Sequence, residues 1–173
     1  MKFVEKKKNK NQMLNLIKVK TEDLSIKQID KICRIKMQKW KFNYKSQKNF
    51  LLKNYNLEDI HQMVLIKDKI VGYNCLKFIK NLNKTIMIFD SLIVDKNYRL
   101  MGISSIILFS SINEIIDKKK QCYLYSDKTL QKYYEKFGWV RINKKKIKMI
   151  KKNNIILMKF QSKFLKTKIF NNN

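Results

Sequence analysis

The alternation of apolar and polar residues divides the chain into helical and extended stretches. Apolar positions over Ile29–Trp40 recur at helical spacing after Ile26, and the same spacing returns over Ile103–Ile116. Shorter helical stretches surround Phe50–Leu52 and cover Thr129–Phe137. Extended stretches are predicted at Leu16–Lys20, Met63–Ile66, Ile70–Ile79, Thr85–Val94, Cys122–Tyr125, Trp139–Ile142 and Ile155–Phe160. The order β-α-α-β-β-β-α-β-α-β-β predicts an α/β protein. Its sheet is expected to be mixed, as in α+β proteins, and to be flanked by helices.

Polar segments between and outside these stretches define the predicted domain organisation. Residues 1–13 are predicted to be a flexible basic arm, residues 14–160 a single domain and residues 161–173 a C-terminal tail. Leu57–Gln62 is predicted to connect the second helix to the sheet, and the lysine-rich Asn143–Asn154 to form a loop outside the core. No internal repeat is visible.

The net charge of +27 raises nucleic acid or an anionic membrane as a partner. The basic residues are almost all lysines, and only Arg34, Arg99 and Arg141 are arginines, whose forked side chains make the bidentate contacts typical of nucleic-acid recognition. The lysines are also spread along the whole chain, whereas a nucleic-acid footprint should be clustered. The charge therefore indicates a solvated surface, and no nucleic-acid partner is expected.

The cysteines and the apolar runs indicate the cellular location. Cys33, Cys75 and Cys122 are odd in number and far apart, which favours reduced thiols over disulfides or a zinc site. The N-terminal apolar stretch is too short and polar for a signal peptide, and no run is long enough to span a bilayer. We therefore expect a cytoplasmic protein with no membrane partner and no metal.

Two short segments around glycine carry the most specific pattern in the chain. Arg99–Ser104 (RLMGIS) lies between a predicted strand and a predicted helix, and Tyr134–Trp139 (YEKFGW) ends a short helix and begins the next strand. In this order they resemble the two signature regions of the GNAT superfamily of N-acetyltransferases, an Arg/Gln-x-x-Gly-x-Gly/Ala loop and a Tyr-x-x-x-Gly-aromatic ending. The resemblance spans about Leu16–Phe160 and implies the GNAT acyl-CoA N-acyltransferase fold.

The resemblance implies that acetyl-CoA is the co-substrate. Its pyrophosphate would bind the backbone amides of Leu100–Ser105 at a helix N-terminus beside the charge of Arg99, with Gly102 leaving room for the phosphates. Ser104 stands where the family usually has glycine or alanine, and Leu100 where it often has glycine. The predicted cofactor-binding residues are Leu92, Ile93, Val94, Arg99, Leu100, Met101, Gly102, Ile103, Ser104, Ser105, Asp127 and Tyr134.

The same resemblance implies an opening between two strands. The family pairs pantetheine with the end of the strand before the phosphate loop, here Leu92–Val94, so this strand must diverge from Cys122–Tyr125. Tyr134 matches the tyrosine to which the family generally assigns protonation of the leaving thiolate, and Tyr133 is the adjacent competitor. Asp127 stands where the family often has asparagine.

Asp90 is the best-placed carboxylate to take a proton from the acceptor amine. It lies four residues before Val94, and strand alternation predicts that it shares a face with Leu92. A water relay, or a purely structural role for Asp90, is the alternative. His61 and Cys122 are interpreted as structural because neither has a catalytic partner in the sequence.

These residues predict transfer of acetyl from acetyl-CoA to a primary amine by direct attack. The expected acceptor is a small molecule such as an amino sugar or an aminoglycoside-like compound, with Trp40, Phe42 and Tyr44 lining the acceptor side. The alternatives are acetylation of a protein N-terminus or lysine, and a non-catalytic domain that binds acyl-CoA or nucleic acid. A monomer and a homodimer are both compatible with the sequence.

Overall fold

The computed structural model describes residues 13–81, 84–142 and 154–163. Within them the order of elements is the predicted one. The strands are β1 Leu14–Lys20, β2 Ile60–Ile66, β3 Lys69–Asn81, β4 Lys84–Val94, β5 Cys122–Asp127, β6 Trp139–Ile142 and β7 Ile155–Phe160. The helices are α1 Ile26–Met37, α2 Tyr44–Asn54, α3 Ile103–Asp117 and α4 Gln131–Glu135. The predicted arm, most of the Asn143–Asn154 loop and nearly all of the C-terminal tail lie outside the described residues.

The seven described strands form one sheet in the order β1-β2-β3-β4-β5-β7-β6. Neighbours are antiparallel except β4 and β5, which are parallel and are connected through α3. A parallel pair needs such a crossover, whereas antiparallel neighbours can be joined by a short turn. The parallel pair therefore marks the point where the order of the sheet changes, and ligands of open α/β sheets commonly bind there.

The two faces of the sheet are covered by different helices. On one face, Ile32 and Ile35 of α1 and Leu51 of α2 pack against buried residues of β2 and β3. On the other face, Leu108 and Ile112 of α3 belong to a core that includes strand residues and the aromatic residues near α4. Each face thus has its own apolar core, and the sheet separates them.

Local signals explain where the first two helices begin. Ser25 and Gln28 form a reciprocal capping box at the start of α1, and the Asn43 side chain accepts a hydrogen bond from the Ser46 amide at the start of α2. Helix α1 ends at Met37, three residues before the predicted limit at Trp40. Trp40 instead lies in the turn after the helix, where its amide donates a hydrogen bond to the Lys36 carbonyl.

One predicted connection is in fact part of the sheet. Strand β2 begins at Ile60, so the C-terminal half of the predicted Leu57–Gln62 connection pairs with β1 and β3. His61 and Gln62 are fully buried. Their polarity suggested a loop, but His61 has hydrogen-bonding partners inside the protein, and Gln62 accepts a hydrogen bond from Ser111.

Gly72 allows α3 to pack closely against β3. A Cβ atom at this position would lie 2.5 Å from Ile103 Cγ2 and 2.9 Å from Ile107 Cδ1. Both distances are shorter than a van der Waals contact, so a larger residue would push the first turns of α3 away from the sheet. Gly72 thereby helps to set the position of the helix N-terminus that follows the Arg99–Gly102 loop.

Candidate active site

Strands β4 and β5 diverge, as predicted, after a short paired segment. Their pairing runs from Met87 with Cys122 to Phe89 with Leu124. Strand β4 then continues to Val94 and β5 to Asp127 without pairing with each other. We call the space between these two segments, β4 after Phe89 and β5 after Leu124, the strand gap.

A bulge in β4 lies at the start of the strand gap. Ser91 has a φ of 61°, in the left-handed region that serine rarely adopts. Over the same stretch β4 has one residue more than β3, because Asn74 of β3 lies opposite two residues of β4, Ser91 and Leu92. An inserted residue of this kind interrupts the alternation of side chains between the faces of a strand.

The bulge overturns the predicted orientation of Asp90. Because of the extra residue, Asp90 and Leu92 do not share a face of the sheet. Leu92 packs against the cores on the α3 face, whereas Asp90 lines a cavity on the α1 and α2 face. Strict alternation failed here because nothing in the sequence marks Ser91 as a left-handed residue.

The loop between β4 and α3 is open to solvent. Arg99, Leu100, Met101 and Gly102 are all exposed, and Leu100 and Gly102 have positive φ angles of 64° and 74°. A Cβ atom built on Gly102 would meet no atom within 4 Å. The first amides of a helix have no carbonyl partner within it, and Gly102 supplies no side chain to cap those of α3. The predicted phosphate loop is therefore accessible, and its helix N-terminus is uncapped.

Tyr133 connects this loop to α4. Its hydroxyl donates a hydrogen bond to Ser104 Oγ at 2.7 Å, across the first turn of α3. Ser104 accepts this bond and keeps its own proton for another acceptor. The sequence showed the serine as a departure from the family pattern, and the structure pairs it with Tyr133, the neighbour of Tyr134.

Tyr134 is buried beside the strand gap. Its ring meets the ring of Phe89 edge-on, with 6.3 Å between the ring centres, and Phe89 is the last residue of β4 that pairs with β5. The Tyr134 hydroxyl interacts with Ser126, in the part of β5 that does not pair with β4. Burial, with a smaller contribution from the neighbouring Tyr133, raises the pKa of Tyr134 to about 12, and the hydrogen bond with Ser126 opposes the rise. The phenol is thus a proton donor throughout the physiological pH range.

Asp127 and Lys39 lie at the mouth of the strand gap. Asp127 accepts hydrogen bonds from the Thr129 amide at 2.9 Å and hydroxyl at 2.7 Å, which lower the pKa of this carboxyl group. Desolvation and, to a smaller extent, the positive charge of Arg99 lower the pKa of Lys39. The negative charge of Asp127 acts in the opposite direction and raises this pKa. Lys39, which the sequence did not single out, thus joins Arg99 at the mouth of the gap.

A cavity of about 350 Å³, here called the acceptor cavity, lies between the first two helices and β4. Trp40 and Phe42 line it, as predicted. Tyr44 does not, because its hydroxyl donates instead to Asp30 of α1. Among the residues that the structure describes, those that line the cavity are Lys36, Trp40, Phe42, Ser46, Gln47, Phe50, Asp90 and Ser91.

A buried hydrogen-bonded chain runs from the acceptor cavity across the sheet. Tyr55 donates to Asp90 Oδ2 at 3.4 Å and interacts with the hydroxyl of Tyr73. His61 Nδ1 lies 2.8 Å from the Tyr73 hydroxyl, and His61 Nε2 lies 2.9 Å from Thr21 Oγ1. Burial, and to a smaller extent the charge of Lys36, lowers the pKa of His61 to about 4, so the ring is neutral at pH 7. His61 therefore has the structural surroundings expected from the sequence.

Sequence reasoning missed Lys36 and Tyr55. Lys36 lies four residues after Ile32 and four before Trp40, so it interrupts the apolar face of α1. A lysine at a position where the helical spacing predicts a buried residue was the one signal that could have identified it. Tyr55 follows directly after α2, in a segment without a recognisable pattern.

Three further features of the described residues concern the cysteines, the possible metal ligands and the lengths of the helices. Cys33, Cys75 and Cys122 are free and buried, and burial raises the pKa of Cys122 to about 12, which disfavours a nucleophilic thiolate. In the described part of the chain, no group of three or more His, Cys, Asp or Glu residues is placed to hold a metal ion. No helix among these residues has the length and apolar character needed to cross a membrane.

Comparisons with known proteins agree with this geometry. The chain is similar in structure to Escherichia coli ElaA, with 15% identity, a TM-score of 0.70 and coverage of 86% of this chain and 100% of that one. An acyl-CoA N-acyltransferase from Pseudomonas aeruginosa has 14% identity, a TM-score of 0.68 and coverage of 86% and 100%. PaiA N-acetyltransferase from Thermoplasma acidophilum, in complex with coenzyme A, has 14% identity, a TM-score of 0.58 and coverage of 86% and 99%.

These structural similarities show the fold, and a match to a family model shows the family from the sequence. No curated protein matches the chain. The family model described as an acetyltransferase (GNAT) domain matches residues 22–161, which include both glycine segments and every strand from β2 to β7. The chain belongs to the GNAT acetyltransferase family.

Proposed function

We propose that this protein transfers the acetyl group of acetyl-CoA to the primary amine of a small molecule by direct attack. The observation that carries the proposal is the position of the strand gap. On one side lies the exposed loop before α3, and on the other lies the acceptor cavity with Asp90. A thioester in the gap would be reached from the cavity while its nucleotide end stays at the loop.

The residues at the loop fit the pyrophosphate of the co-substrate. The uncapped amides at the start of α3 point outward from a helix N-terminus, where the helix dipole favours negative charge. The open space around Gly102 allows phosphate oxygens to approach the backbone. Arg99 and Lys39 add positive charge, and the Ser104 hydroxyl is available as a donor.

The free edge of β4 fits the pantetheine arm. Beyond Phe89, β4 pairs with β3 on one side only, so the amides and carbonyls of Leu92–Val94 that face β5 have no partner there. An extended chain with two amide groups can pair with such an edge as an additional strand. In that position the thioester would lie near Phe89, which Tyr134 contacts.

The two proposed proton-transfer groups approach the gap from opposite faces. Asp90 lines the acceptor cavity and would take a proton from the incoming ammonium group, which leaves the nitrogen free to attack the thioester carbon. As the C–N bond forms and the C–S bond breaks, Tyr134 would give its proton to the departing sulfur, and the nitrogen would lose its second surplus proton. That proton would pass through solvent to restore the Tyr134 phenol, and Asp90 would release the first to solvent, so that the products are the amide, the free thiol and one proton. The bulge at Ser91 therefore matters for the chemistry, because it turns Asp90 toward the acceptor.

The size of the acceptor cavity favours a small molecule. A volume of about 350 Å³ lies at the lower end of the range for small-ligand sites. A protein N-terminus or a lysine side chain would instead need a groove for the rest of its chain. The three aromatic rings in the lining suit an acceptor that has an apolar surface of its own.

The experiment combines binding and turnover on the full chain. Calorimetry would measure acetyl-CoA binding, and free-thiol release would be followed with a panel of amino acids, arylalkylamines, amino sugars and aminoglycosides. We expect acetyl-CoA to bind and thiol to appear only when an amine is present. Binding without release from any amine would support a non-catalytic acyl-CoA domain, and absence of binding would overturn the cofactor site itself.

A further inference from the structure

Lys36 is an unusual residue for the interior of a small domain. Only 4% of its surface is exposed, yet no ion pair joins it to a carboxylate among the described residues. Burial lowers the pKa of Lys36, and the charge of Asp90 opposes this effect, so the two groups are close enough to interact. Lysine is almost never fully buried unless it is paired, because its ammonium group loses the hydration that stabilises it.

Aromatic rings replace part of that hydration. The Lys36 ammonium nitrogen lies 5.6 Å from the ring centre of Trp40, and 5.2 Å from those of Phe50 and Tyr55. Cation–π contacts of this length stabilise a desolvated cation. Two of these rings, Trp40 and Phe50, also line the acceptor cavity, so the ammonium group is held at the cavity wall.

The ammonium group has donors to spare. It donates to the Tyr55 hydroxyl at 3.1 Å, and this is its one hydrogen-bond partner in the described part of the chain. An ammonium group carries three N–H donors. A ligand with an anionic oxygen could accept one of the others, and a charge-assisted bond in a desolvated site is stronger than a neutral one.

The acceptor cavity therefore presents one cationic and one anionic group between aromatic walls. Asp90 suits the ammonium group of an acceptor, Lys36 suits a carboxylate, and Trp40, Phe42 and Phe50 suit an apolar side chain. A polycationic aminoglycoside would place extra positive charges beside Lys36 with a single cavity carboxylate to balance them. A simple amine would leave Lys36 without an anionic partner.

We infer that the acceptor is a free α-amino acid with an aromatic or large apolar side chain, held by its carboxylate on Lys36 and acetylated on its α-amino group. This inference rests on the proposed acetyl transfer and narrows its substrate class. Both charged groups of an α-amino acid are attached to one carbon atom. This matches the placement of Lys36 and Asp90, because the Tyr55 hydroxyl lies 3.1 Å from the Lys36 ammonium nitrogen and 3.4 Å from Asp90 Oδ2. Lys36 thereby determines specificity, and Asp90 performs the chemistry.

The test compares three acceptors that differ in one group. L-phenylalanine has the carboxylate, L-phenylalaninamide replaces it with a neutral amide, and phenethylamine lacks it. On the full chain with saturating acetyl-CoA, we expect kcat/KM for L-phenylalanine to exceed that for each of the others by about tenfold or more, mostly through KM. Equal or better use of phenethylamine or the amide would overturn the inference without any variant.

A charge-neutral variant then assigns the preference to one residue. Lys36→Met keeps the length and apolar stem of the side chain, and we expect it to bring the ratio of L-phenylalanine to phenethylamine close to one. Lys41→Met is the matched control, because Lys41 is exposed, adjoins Trp40 and Phe42 in sequence and does not line the cavity. A wild-type ratio in folded Lys36→Met, or a collapse of the ratio in Lys41→Met, contradicts the assignment.

Binding separates failure of this inference from failure of the proposed function. Calorimetry with L-phenylalanine and phenethylamine alone reports on the cavity whether or not turnover occurs. Thiol release with amino sugars but not with amino acids would leave the acetyltransferase proposal standing and overturn this one. Absence of release from every amine would overturn the proposed function, and absence of L-phenylalanine binding in the same protein would remove the amino-acid site as well.

Discussion

The two halves of the candidate site are built from different parts of the polypeptide. The cofactor half consists mainly of backbone: the uncapped amides at the start of α3, the free edge of β4 and the open position at Gly102. The acceptor half consists of side chains, with Asp90 and Lys36 set among aromatic rings. Backbone recognition suits a co-substrate shared by many enzymes, whereas side chains can change with each acceptor.

The difference also concerns charge. The cofactor half combines Arg99, Lys39 and a helix N-terminus, which together attract a polyanion. In the acceptor half a single ammonium group and a single carboxylate nearly cancel. If this comparison is correct, substitutions in the two halves should affect different kinetic constants, and the following variants test that division.

The largest effect is expected from Asp90→Asn in the acceptor half. The variant keeps the shape of the side chain and removes the group proposed to take the proton, so kcat/KM for the amine should fall on the order of 10²- to 10⁴-fold. Acetyl-CoA affinity should stay near the wild-type value. The exposed Asp117→Asn at the end of α3 is the matched control. A loss below about threefold in Asp90→Asn would favour a water relay instead.

Tyr134→Phe should lower kcat by a smaller factor, on the order of 10- to 100-fold. The thiol of coenzyme A is far more acidic than a phenol whose pKa burial has raised to about 12, so the thiolate is already a good leaving group. Tyr133→Phe makes the same change one residue away and removes the bond to Ser104. It should change KM for acetyl-CoA more than kcat, and the reverse result would exchange the roles of the two tyrosines.

Gly102→Ala tests the backbone half. An alanine at a φ of 74° should cost about 1–2 kcal/mol of folding free energy, although its Cβ would touch no protein atom. Acetyl-CoA should bind about tenfold more weakly, equivalent to roughly 1.4 kcal/mol, because the methyl group occupies space intended for phosphate. Gly102→Asn tolerates the left-handed conformation better and separates the two effects. Unchanged acetyl-CoA binding in both variants would show that the loop does not approach the ligand.

His61 gives the smallest expected effect, on the stability of the network behind Asp90. Its pKa of about 4 in the folded protein lies below the ordinary 6.5, so the unfolded chain takes up the proton first as the pH falls. Its contribution is fully present above about pH 6.5 and is lost between pH 6.5 and 4. Lowering the pH from 7.5 to 5.5 should therefore cost about 1 kcal/mol through this group. Denaturation of His61→Gln at both pH values should show a correspondingly smaller decrease.

The sequence predicted the cofactor half more fully than the acceptor half, for a physical reason. A loop that binds phosphate through its backbone needs glycine at a fixed distance from a strand and a helix, and that spacing is visible at Gly102. The order of strands followed from the hydrophobic pattern, and the divergence of β4 from β5 was implied by the family resemblance that the glycine segments carry. The roles assigned to Arg99–Ser105, Asp127 and Tyr134 remain predictions.

The acceptor half depends on contacts between distant segments, which a single sequence does not display. Lys36 was visible only as a polar interruption of a helix face, and its aromatic partners come from another helix and the segment after it. The face on which Asp90 lies depended on one residue, Ser91, whose backbone conformation no local signal announces. Polar residues in β2 misled the prediction because their partners are supplied by tertiary structure.

The bulge at Ser91 has a consequence for how acceptor specificity could change in this fold. One additional residue in β4 is enough to transfer a carboxylate from the layer of α3 to the layer of α1 and α2, while the phosphate loop farther along the chain keeps its place. Insertion or deletion of a single residue there would thus exchange the residue proposed as the base without moving the loop proposed to bind the acyl donor. Relatives that differ in length at this point should be compared by the face each side chain occupies, not by counting back from the glycine loop.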